Sequence, residues 1–121
     1  MTEFSRFDAA TPLPDGVREL RPAALAGAQG GRHSRLIDVR EPHEFDGELG
    51  HIAGAELVPL STVTSACVKW NHADEFVLIC RSGGRSGMAA RELRALGFER
   101  VINLVGGMIA WNNAGLPVER T

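Results

Sequence analysis

One stretch decides the fold of this chain: Phe76-Val77-Leu78-Ile79-Cys80-Arg81-Ser82-Gly83-Gly84-Arg85-Ser86. Its first five residues are an unbroken apolar run, which is typical of a strand buried on both faces. The run ends at a cysteine, and arginine, serine and glycine residues follow at once, which predicts a polar and flexible loop. A buried strand is therefore predicted to carry the thiol of Cys80 to the edge of a sheet.

The segment after this loop has the spacing of a helix. Within residues 87–96, the apolar positions 89, 90, 93 and 96 share one helical face. A loop that enters a helix can turn its backbone N–H groups inward at the positive end of the helix dipole, where they stabilise an anion. The anion most readily placed there is the thiolate of Cys80.

The neighbours of Cys80 favour a reactive thiol, although a lone cysteine at the end of a buried strand is most often structural. The thiolate population rises at a helix N-terminus or beside arginine, and this loop offers both. Its two glycines allow consecutive amides to curl around one centre, and its two serines add hydroxyl donors. The loop residues predicted to hold the sulfur and the substrate are Arg81, Ser82, Gly83, Gly84, Arg85 and Ser86.

Outward from the loop, strands and helices alternate along the chain. Strands are predicted at 17–20, 35–40, 56–59, 76–80 and 100–104, and helical segments at 22–26, 41–45, 60–70, 87–96 and 108–113. This alternation predicts an α/β fold with a parallel sheet covered by helices on both faces. Working residues of such sheets lie beyond the carboxyl ends of the strands, where Asp38, Arg40 and Cys80 all stand.

The length of 121 residues fits one domain. Residues 1–16 contain Pro12, Pro14 and Gly16 and show no periodic pattern, so we expect an irregular leader followed by a domain at 17–121. The formal net charge of −2 points to no nucleic-acid partner and no membrane surface. We expect a cytoplasmic protein, because no run approaches the length of a membrane span and the first residues do not resemble a secretory signal.

The remaining cysteine and the histidines do not suggest a metal or cofactor site. Cys67 and Cys80 form no Cys-x-x-Cys pair, and the four histidines lack the spacing of metal ligands. We expect Cys67 to be a buried apolar residue, with a resolving role opposite Cys80 as a weak alternative. His51 is expected to be packed and hydrogen-bonded, and Trp111 to pack in the core or at an interface.

A thiolate surrounded by amides could attack either phosphorus or sulfur. Cysteine phosphatases place five residues between the cysteine and an arginine, and use a carboxylic acid to protonate the leaving group. Here four residues separate Cys80 from Arg85. Because the shorter ring of amides fits a sulfur atom better than a tetrahedral phosphate, the spacing favours a persulfide over a phosphatase or an arsenate reductase.

Four segments carry a family resemblance: LIDVREP at 36–42, GHIAGA at 50–55, CRSGGRS at 80–86, and NLVGGMIAW at 103–111 with GLPV at 115–118. Together they resemble the single-domain rhodaneses, the thiosulfate sulfurtransferase family. The resemblance implies a three-layer rhodanese-like fold with a five-stranded parallel sheet between helices. It also implies that Cys80 accepts sulfane sulfur from a donor such as thiosulfate, and that cyanide, a small thiol or a protein thiol then removes it.

Roles follow from this resemblance for the candidate site residues. Cys80 would be the nucleophile and sulfur carrier, and the amides of residues 81–86 would stabilise thiolate and persulfide. Arg81 and Arg85 would face an anionic donor, with an ion pair to a carboxylate as the alternative. Asp38 and Arg40 would hold the loop from behind rather than take part in the chemistry.

Two departures from the family pattern lie outside the cysteine loop. Ala53 stands where the family usually has proline, and the linker at 46–49 is longer than in the shortest members. Gly106 and Gly107 are expected to form a tight turn beside the site. A non-enzymatic persulfide carrier or a protein-interaction module remains an alternative to the sulfurtransferase.

Overall fold

The computed structural model describes residues 5–28 and 30–120. The strands are β1 (Thr11–Pro12), β2 (Arg18–Leu20), β3 (Ser34–Asp38), β4 (Glu56–Leu57), β5 (Glu75–Ile79) and β6 (Val101–Leu104). The α-helices are α1 (Arg6–Ala9), α2 (Pro22–Gly27), α3 (Pro42–Phe45), α4 (Val63–Ala66), α5 (Gly84–Ala95) and α6 (Gly107–Asn113). Within these residues, no helix has both the length and the apolar character that crossing a membrane requires.

The strands form one mostly parallel sheet in the order β1-β2-β6-β5-β3-β4. The five strands from β2 to β4 in this order are parallel to one another, as predicted. The sheet has a sixth strand, β1, which pairs antiparallel with β2 at one edge. The predicted α/β architecture is therefore confirmed, and the predicted count of five strands was one too few.

Strand β5 lies at the centre of the sheet and divides the core into two layers. Phe76, Leu78 and Cys80 point into one apolar cluster, whereas Val77 and Ile79 point into the other. Because both faces are covered, residues 76–80 are all buried, which explains the unbroken apolar run in the sequence. Trp111 is part of the second cluster, as predicted, and its indole Nε1 donates to the carbonyl of Pro117 at 2.9 Å.

The prediction of an irregular leader was wrong for residues 5–16. Ser5 and Asp8 form a capping box that begins α1, and the carboxylate of Glu75 accepts hydrogen bonds from the backbone amides of Arg6 and Phe7, each at 3.2 Å. These bonds come from the central strand, so periodicity within the leader could not reveal them. Residues 1–4 lie outside the described part of the chain, and a domain boundary at residue 17 stays a prediction.

Two predicted helices also differ from the structure. The helix predicted at 60–70 consists of a 3-10 turn at Leu60–Thr62, the short helix α4 and a second 3-10 turn at Cys67–Lys69. The run at 62–64 is β-branched, which weakens a regular α-helix. Helix α5 begins at Gly84 rather than at residue 87, because Gly83 takes the N-cap position with a left-handed φ of 104°.

Candidate active site

Cys80 follows β5 directly and lies where the sheet meets the N-terminus of α5. Its side chain is almost fully buried, with 1% of the residue exposed. The backbone turns sharply at Gly83, whose left-handed φ a side chain would strain. This turn directs the amide of Gly83 at the Cys80 Sγ, at a distance of 3.0 Å.

Hydrogen bonds to the sulfur favour the thiolate. Ser86 Oγ lies 3.2 Å from Cys80 Sγ, in a residue with no solvent exposure. Burial raises the pKa of the Cys80 thiol, but hydrogen bonds from the Ser86 hydroxyl and from the amides of Ser86, Gly83 and Ser82 outweigh it. The pKa of Cys80 is therefore lowered from its ordinary value, as a nucleophilic thiol requires.

Asn103 supports the sulfur from the neighbouring strand β6. Its Oδ1 lies 2.6 Å from Ser86 Oγ, and its Nδ2 donates to the carbonyl of Gly83 at 3.1 Å. One amide side chain thus holds Gly83 and Ser86, two of the residues whose groups bond to Cys80 Sγ. Asn103 is a site residue that was not predicted from the sequence, although a polar residue inside the buried strand Val101–Leu104 was a signal for it.

The N-terminus of α6 fixes the other side of the loop. The amide of Met108 donates to the carbonyl of Cys80 at 2.9 Å, and the amide of Ile109 donates to the carbonyl of Arg81 at 3.0 Å. Because these two carbonyls bond outward to α6, the amides that follow can turn toward the sulfur. The tight turn predicted at Gly106 and Gly107 is confirmed beside Cys80, since both residues have positive φ values.

Arg85 is held by a carboxylate that the sequence analysis did not select. Its Nη1 and Nη2 contact Glu44 Oε1 and Oε2 at 2.7 and 2.8 Å, which makes a bidentate ion pair between α5 and α3. The hydrogen bonds from Arg85 are the largest cause that lowers the pKa of Glu44 to about 2. The pair is therefore charged on both sides near neutral pH. An ion pair to a carboxylate, the alternative expected for one of the two loop arginines, is therefore present at Arg85.

Asp38 and Arg40 bind each other. Arg40 Nε and Nη2 contact the two carboxylate oxygens of Asp38 at 2.9 and 2.7 Å, and both side chains are at most 1% exposed. The guanidinium also donates to the carbonyls of Glu44 and Gly50, at 3.1 and 2.8 Å. The pair thus anchors α3 and the following connection, and its expected support of the cysteine loop stays a prediction.

A shallow cleft of about 200 Å³ opens beside the loop. Its lining residues are Arg40, His43, Glu44, Gly47, Glu48, Leu49 and Arg81. Arg81 is exposed and forms no ion pair within the described residues. Arg81 is therefore the cation of the cleft that is available to a ligand, whereas Arg40 and Arg85 are already paired.

The residues expected to be structural occupy buried positions. The His51 ring stacks on the Phe45 ring with centroids 3.7 Å apart, and its Nδ1 lies 3.0 Å from the carbonyl of Phe45. Cys67 is buried, and burial raises the pKa of its thiol. A raised pKa disfavours the thiolate that a resolving cysteine needs.

Comparison with known proteins finds a family and solved structures that match most of this chain. The model of the family described as Rhodanese-like domain matches residues 21–114. A rhodanese-like domain protein from Staphylococcus aureus, solved by crystallography, superposes with a TM-score of 0.71 at 26% identity, covering 84% of this chain and 97% of that one. The family model covers β3 to β6, the cysteine loop and α2 to α6, whereas β1 and β2 lie before the matched residues.

Two curated relatives have names that refer to sulfur. A putative sulfur carrier protein, YrkF, from Bacillus subtilis is 45% identical over 76 residues, which are 63% of this chain and 40% of that protein. A sulfurtransferase from Allochromatium vinosum is 37% identical over 83 residues, which are 69% of this chain and 76% of that protein. The chain spans about half the length of several curated relatives that it matches, between 40% and 64%.

Proposed function

Since the chain belongs to the rhodanese-like domain family, we propose that it is a sulfurtransferase that works through a persulfide on Cys80. It would move sulfane sulfur from a donor such as thiosulfate to cyanide or to a thiol acceptor. The names of its relatives support sulfur transfer in general. The observation that carries the proposal is the Cys80 Sγ itself, buried beneath a glycine turn and hydrogen-bonded to the amide of Gly83 and to Ser86 Oγ.

The first half-reaction loads the sulfur. The Cys80 thiolate attacks the outer sulfur of the donor, an S–S bond forms to Sγ, and the bond between the donor's two sulfur atoms breaks. The leaving group keeps the electron pair of that bond, as sulfite when the donor is thiosulfate. The negative charge moves from Sγ to the outer sulfur of the persulfide, where inward amides of the loop stabilise it.

The second half-reaction unloads the sulfur. A nucleophile attacks the outer sulfur, the S–S bond of the persulfide breaks, and Cys80 leaves as the thiolate. With cyanide the product is thiocyanate, and with a thiol it is a new persulfide. The lowered pKa of Cys80 serves this step too, because a thiolate of low pKa is the better leaving group.

The geometry disfavours phosphate as the substrate. A cysteine phosphatase directs its loop arginine at the phosphate oxygens, whereas here Arg85 donates to Glu44 through both terminal nitrogens. The ring from Cys80 to Arg85 is also one residue shorter than the phosphatase motif. Hydrolysis of an aryl phosphate is therefore expected to be absent.

A sulfur carrier is the second candidate, because one relative bears that name and the chain matches only part of several relatives. Such a carrier would load Cys80 but turn over poorly with cyanide, and a protein thiol would take the sulfur. The exposed Arg81 at the rim of the loop is where such a partner could meet the site. A cytoplasmic location remains part of this proposal, since a reducing compartment keeps Cys80 as a free thiol.

The test measures loading and unloading separately. Wild-type protein and Cys80→Ser are each incubated with thiosulfate or with 2-hydroxyethyl persulfide, freed of donor by desalting, and then treated with cyanide. Wild type is expected to gain the mass of one sulfur atom and to release equimolar thiocyanate, and the variant neither. If wild type gains no more sulfur than the variant with either donor, the proposal is wrong. Slow release to cyanide after full loading would favour the carrier.

A further inference from the structure

Glu44 lines the cleft beside the cysteine loop, and its carboxylate is paired with Arg85. Arg85 is within electrostatic range of Cys80, since the Cys80 thiolate is among the charges that raise the Arg85 pKa after the leading contribution from Glu44. An unpaired arginine at this position would attract an anionic donor. Here both terminal nitrogens of Arg85 are taken up by one carboxylate at 2.7 and 2.8 Å.

The carboxylate of Glu44 is fixed and cannot easily give way to a substrate. Glu44 Oε1 accepts a further hydrogen bond from the amide of Glu41 at 3.1 Å, and the carbonyl of Glu44 accepts one from Arg40 at 3.1 Å. Only 19% of the Glu44 side chain is exposed. A donor anion that drew Arg85, whose side chain is 35% exposed, away from this carboxylate would break two charge-assisted hydrogen bonds.

The other charges around the cleft do not restore an anion site. Glu48 adds a second carboxylate to the lining, and Arg40 is already neutralised by Asp38. Arg81 therefore meets a dianion such as thiosulfate with the Glu48 carboxylate beside it, while the charge of Glu44 is balanced by Arg85. Like charges that face one another across a binding site disfavour the wrong partner more than they change the affinity of the right one.

We propose that the Glu44–Arg85 pair makes this site prefer sulfane-sulfur donors of low negative charge, such as alkyl persulfides, over dianionic donors such as thiosulfate. The inference rests on the proposed function, and it names the donor class. In the favoured reaction, Cys80 Sγ⁻ attacks the outer sulfur of R–S–SH, the bond between the donor's sulfur atoms breaks, and R–S⁻ leaves with its electron pair. The product is the Cys80 persulfide, and no oxidant or reductant is consumed.

The test compares donors that differ chiefly in charge. 2-Hydroxyethyl persulfide and 2-sulfoethyl persulfide have the same reacting group, but a sulfonate replaces the hydroxyl in the second. Thiosulfate is the third donor. The second-order rate constant for loading Cys80 is measured by rapid quenching and intact mass spectrometry. Wild type is expected to load at least about fivefold faster from the hydroxyethyl donor than from the sulfoethyl donor, in line with the usual effect of one charge at a binding surface.

Substitution of the carboxylate tests the mechanism. In Glu44→Gln, Arg85 is released and the ratio of hydroxyethyl to sulfoethyl rates is expected to fall toward one, while thiosulfate gains about tenfold relative to the hydroxyethyl donor. The double variant Glu44→Gln/Arg85→Gln has the net charge of wild type and is expected to regain the wild-type ratio. Glu56→Gln is the matched control, because it breaks another bidentate pair, with Arg35 at 2.8 and 2.9 Å, and is expected to leave all rates unchanged.

Each outcome decides between the two proposals. Equal loading of wild type from the two alkyl persulfides, or an unchanged ratio in Glu44→Gln, overturns the donor preference. If Glu44→Gln damaged the loop, loading from all donors would slow by the same factor. The ratio of rates would then be unchanged, and the donor preference would again be overturned. If no donor adds sulfur to wild-type Cys80, the proposed function itself fails.

Discussion

The sulfur of Cys80 shares the hydroxyl of Ser86 with a second acceptor. Ser86 Oγ has one proton, yet both Cys80 Sγ at 3.2 Å and Asn103 Oδ1 at 2.6 Å are within hydrogen-bond distance. With a Cys80 thiol, the S–H can donate to Ser86 while Ser86 donates to Asn103. With a thiolate, the Ser86 proton has to turn toward the sulfur. The serine therefore responds to the charge on Cys80.

Replacement of this hydroxyl is expected to raise the Cys80 pKa. Ser86→Ala removes the hydrogen bond that does most to lower it, so a smaller fraction of Cys80 is thiolate near neutral pH. Alkylation by iodoacetamide near neutral pH should slow about fivefold, the equivalent of about 1 kcal/mol for one hydrogen bond, and its pH profile should move to higher pH. Ser82→Ala is the control, because only the backbone of Ser82 contributes. Identical profiles for Ser86→Ala and wild type would contradict this role.

The cysteine loop is held by α6 as much as by α5, the helix that the loop leads into. The first amides of α6 bond to the carbonyls of Cys80 and Arg81. A Cβ on Gly107 would collide with those same carbonyls, so the two elements meet backbone to backbone. Glycine is therefore required at position 107 by this contact as well as by its positive φ.

Gly107→Ala is expected to disturb the site, whereas Gly115→Ala should not. Both glycines have positive φ values, 57° and 73°, so alanine strains both backbones. Of the two, only Gly107 has no room for a Cβ. A Cβ added at Gly115 would have no surrounding atom within 4 Å. Urea denaturation should show about 2 kcal/mol more destabilisation at Gly107 than at Gly115, in the range of an overpacked contact.

Persulfide loading should separate the two glycine variants further. A displaced Cys80 carbonyl shifts the amides that follow it, so Gly107→Ala should load sulfur more slowly per folded molecule. Gly115→Ala should load at the wild-type rate. Equal stability and equal loading of the two variants would show that the close approach of α6 is unimportant.

Across the molecule, the sequence predicted the elements that depend on neighbouring residues along the chain. It did not predict the side-chain contacts between residues that are far apart in the sequence. The apolar run of β5 and the glycines after Cys80 are local signals that predicted the strand and the loop, and the alternation of strands and helices predicted the parallel sheet. The partner of Arg85 is Glu44, 41 positions earlier, and no local pattern connects them. The four matching segments predicted the order of the elements, but not the side-chain pairs between them.

The structure of the leader, residues 5–16, also depends on a residue far away in the sequence. Its order depends on Glu75, a residue at the start of the central strand, whose side chain is only 5% exposed. Arg100 also donates to this carboxylate at 3.2 Å, and its guanidinium lies over the Phe7 ring at 4.8 Å from the centroid. One buried carboxylate thus joins α1, β5 and the residue before β6. Because these contacts are not visible in the local sequence, the prolines and the glycine of the leader predicted an irregular segment.

Glu75→Gln is therefore expected to loosen the leader and leave the active site intact. The neutral amide cannot accept as well from the amides of Arg6 and Phe7, and it leaves Arg100 without its charge partner, so the free energy of unfolding should fall by about 2 kcal/mol. Limited proteolysis should cleave faster within residues 5–16. Sulfur loading per folded molecule should not change, because Cys80 lies at the opposite end of β5.

The control is Glu56→Gln, which breaks an ion pair whose carboxylate is 44% exposed. Its free energy of unfolding should stay within about 0.5 kcal/mol of wild type. Equal stability of the two variants would mean that the leader is held by its apolar contacts rather than by Glu75.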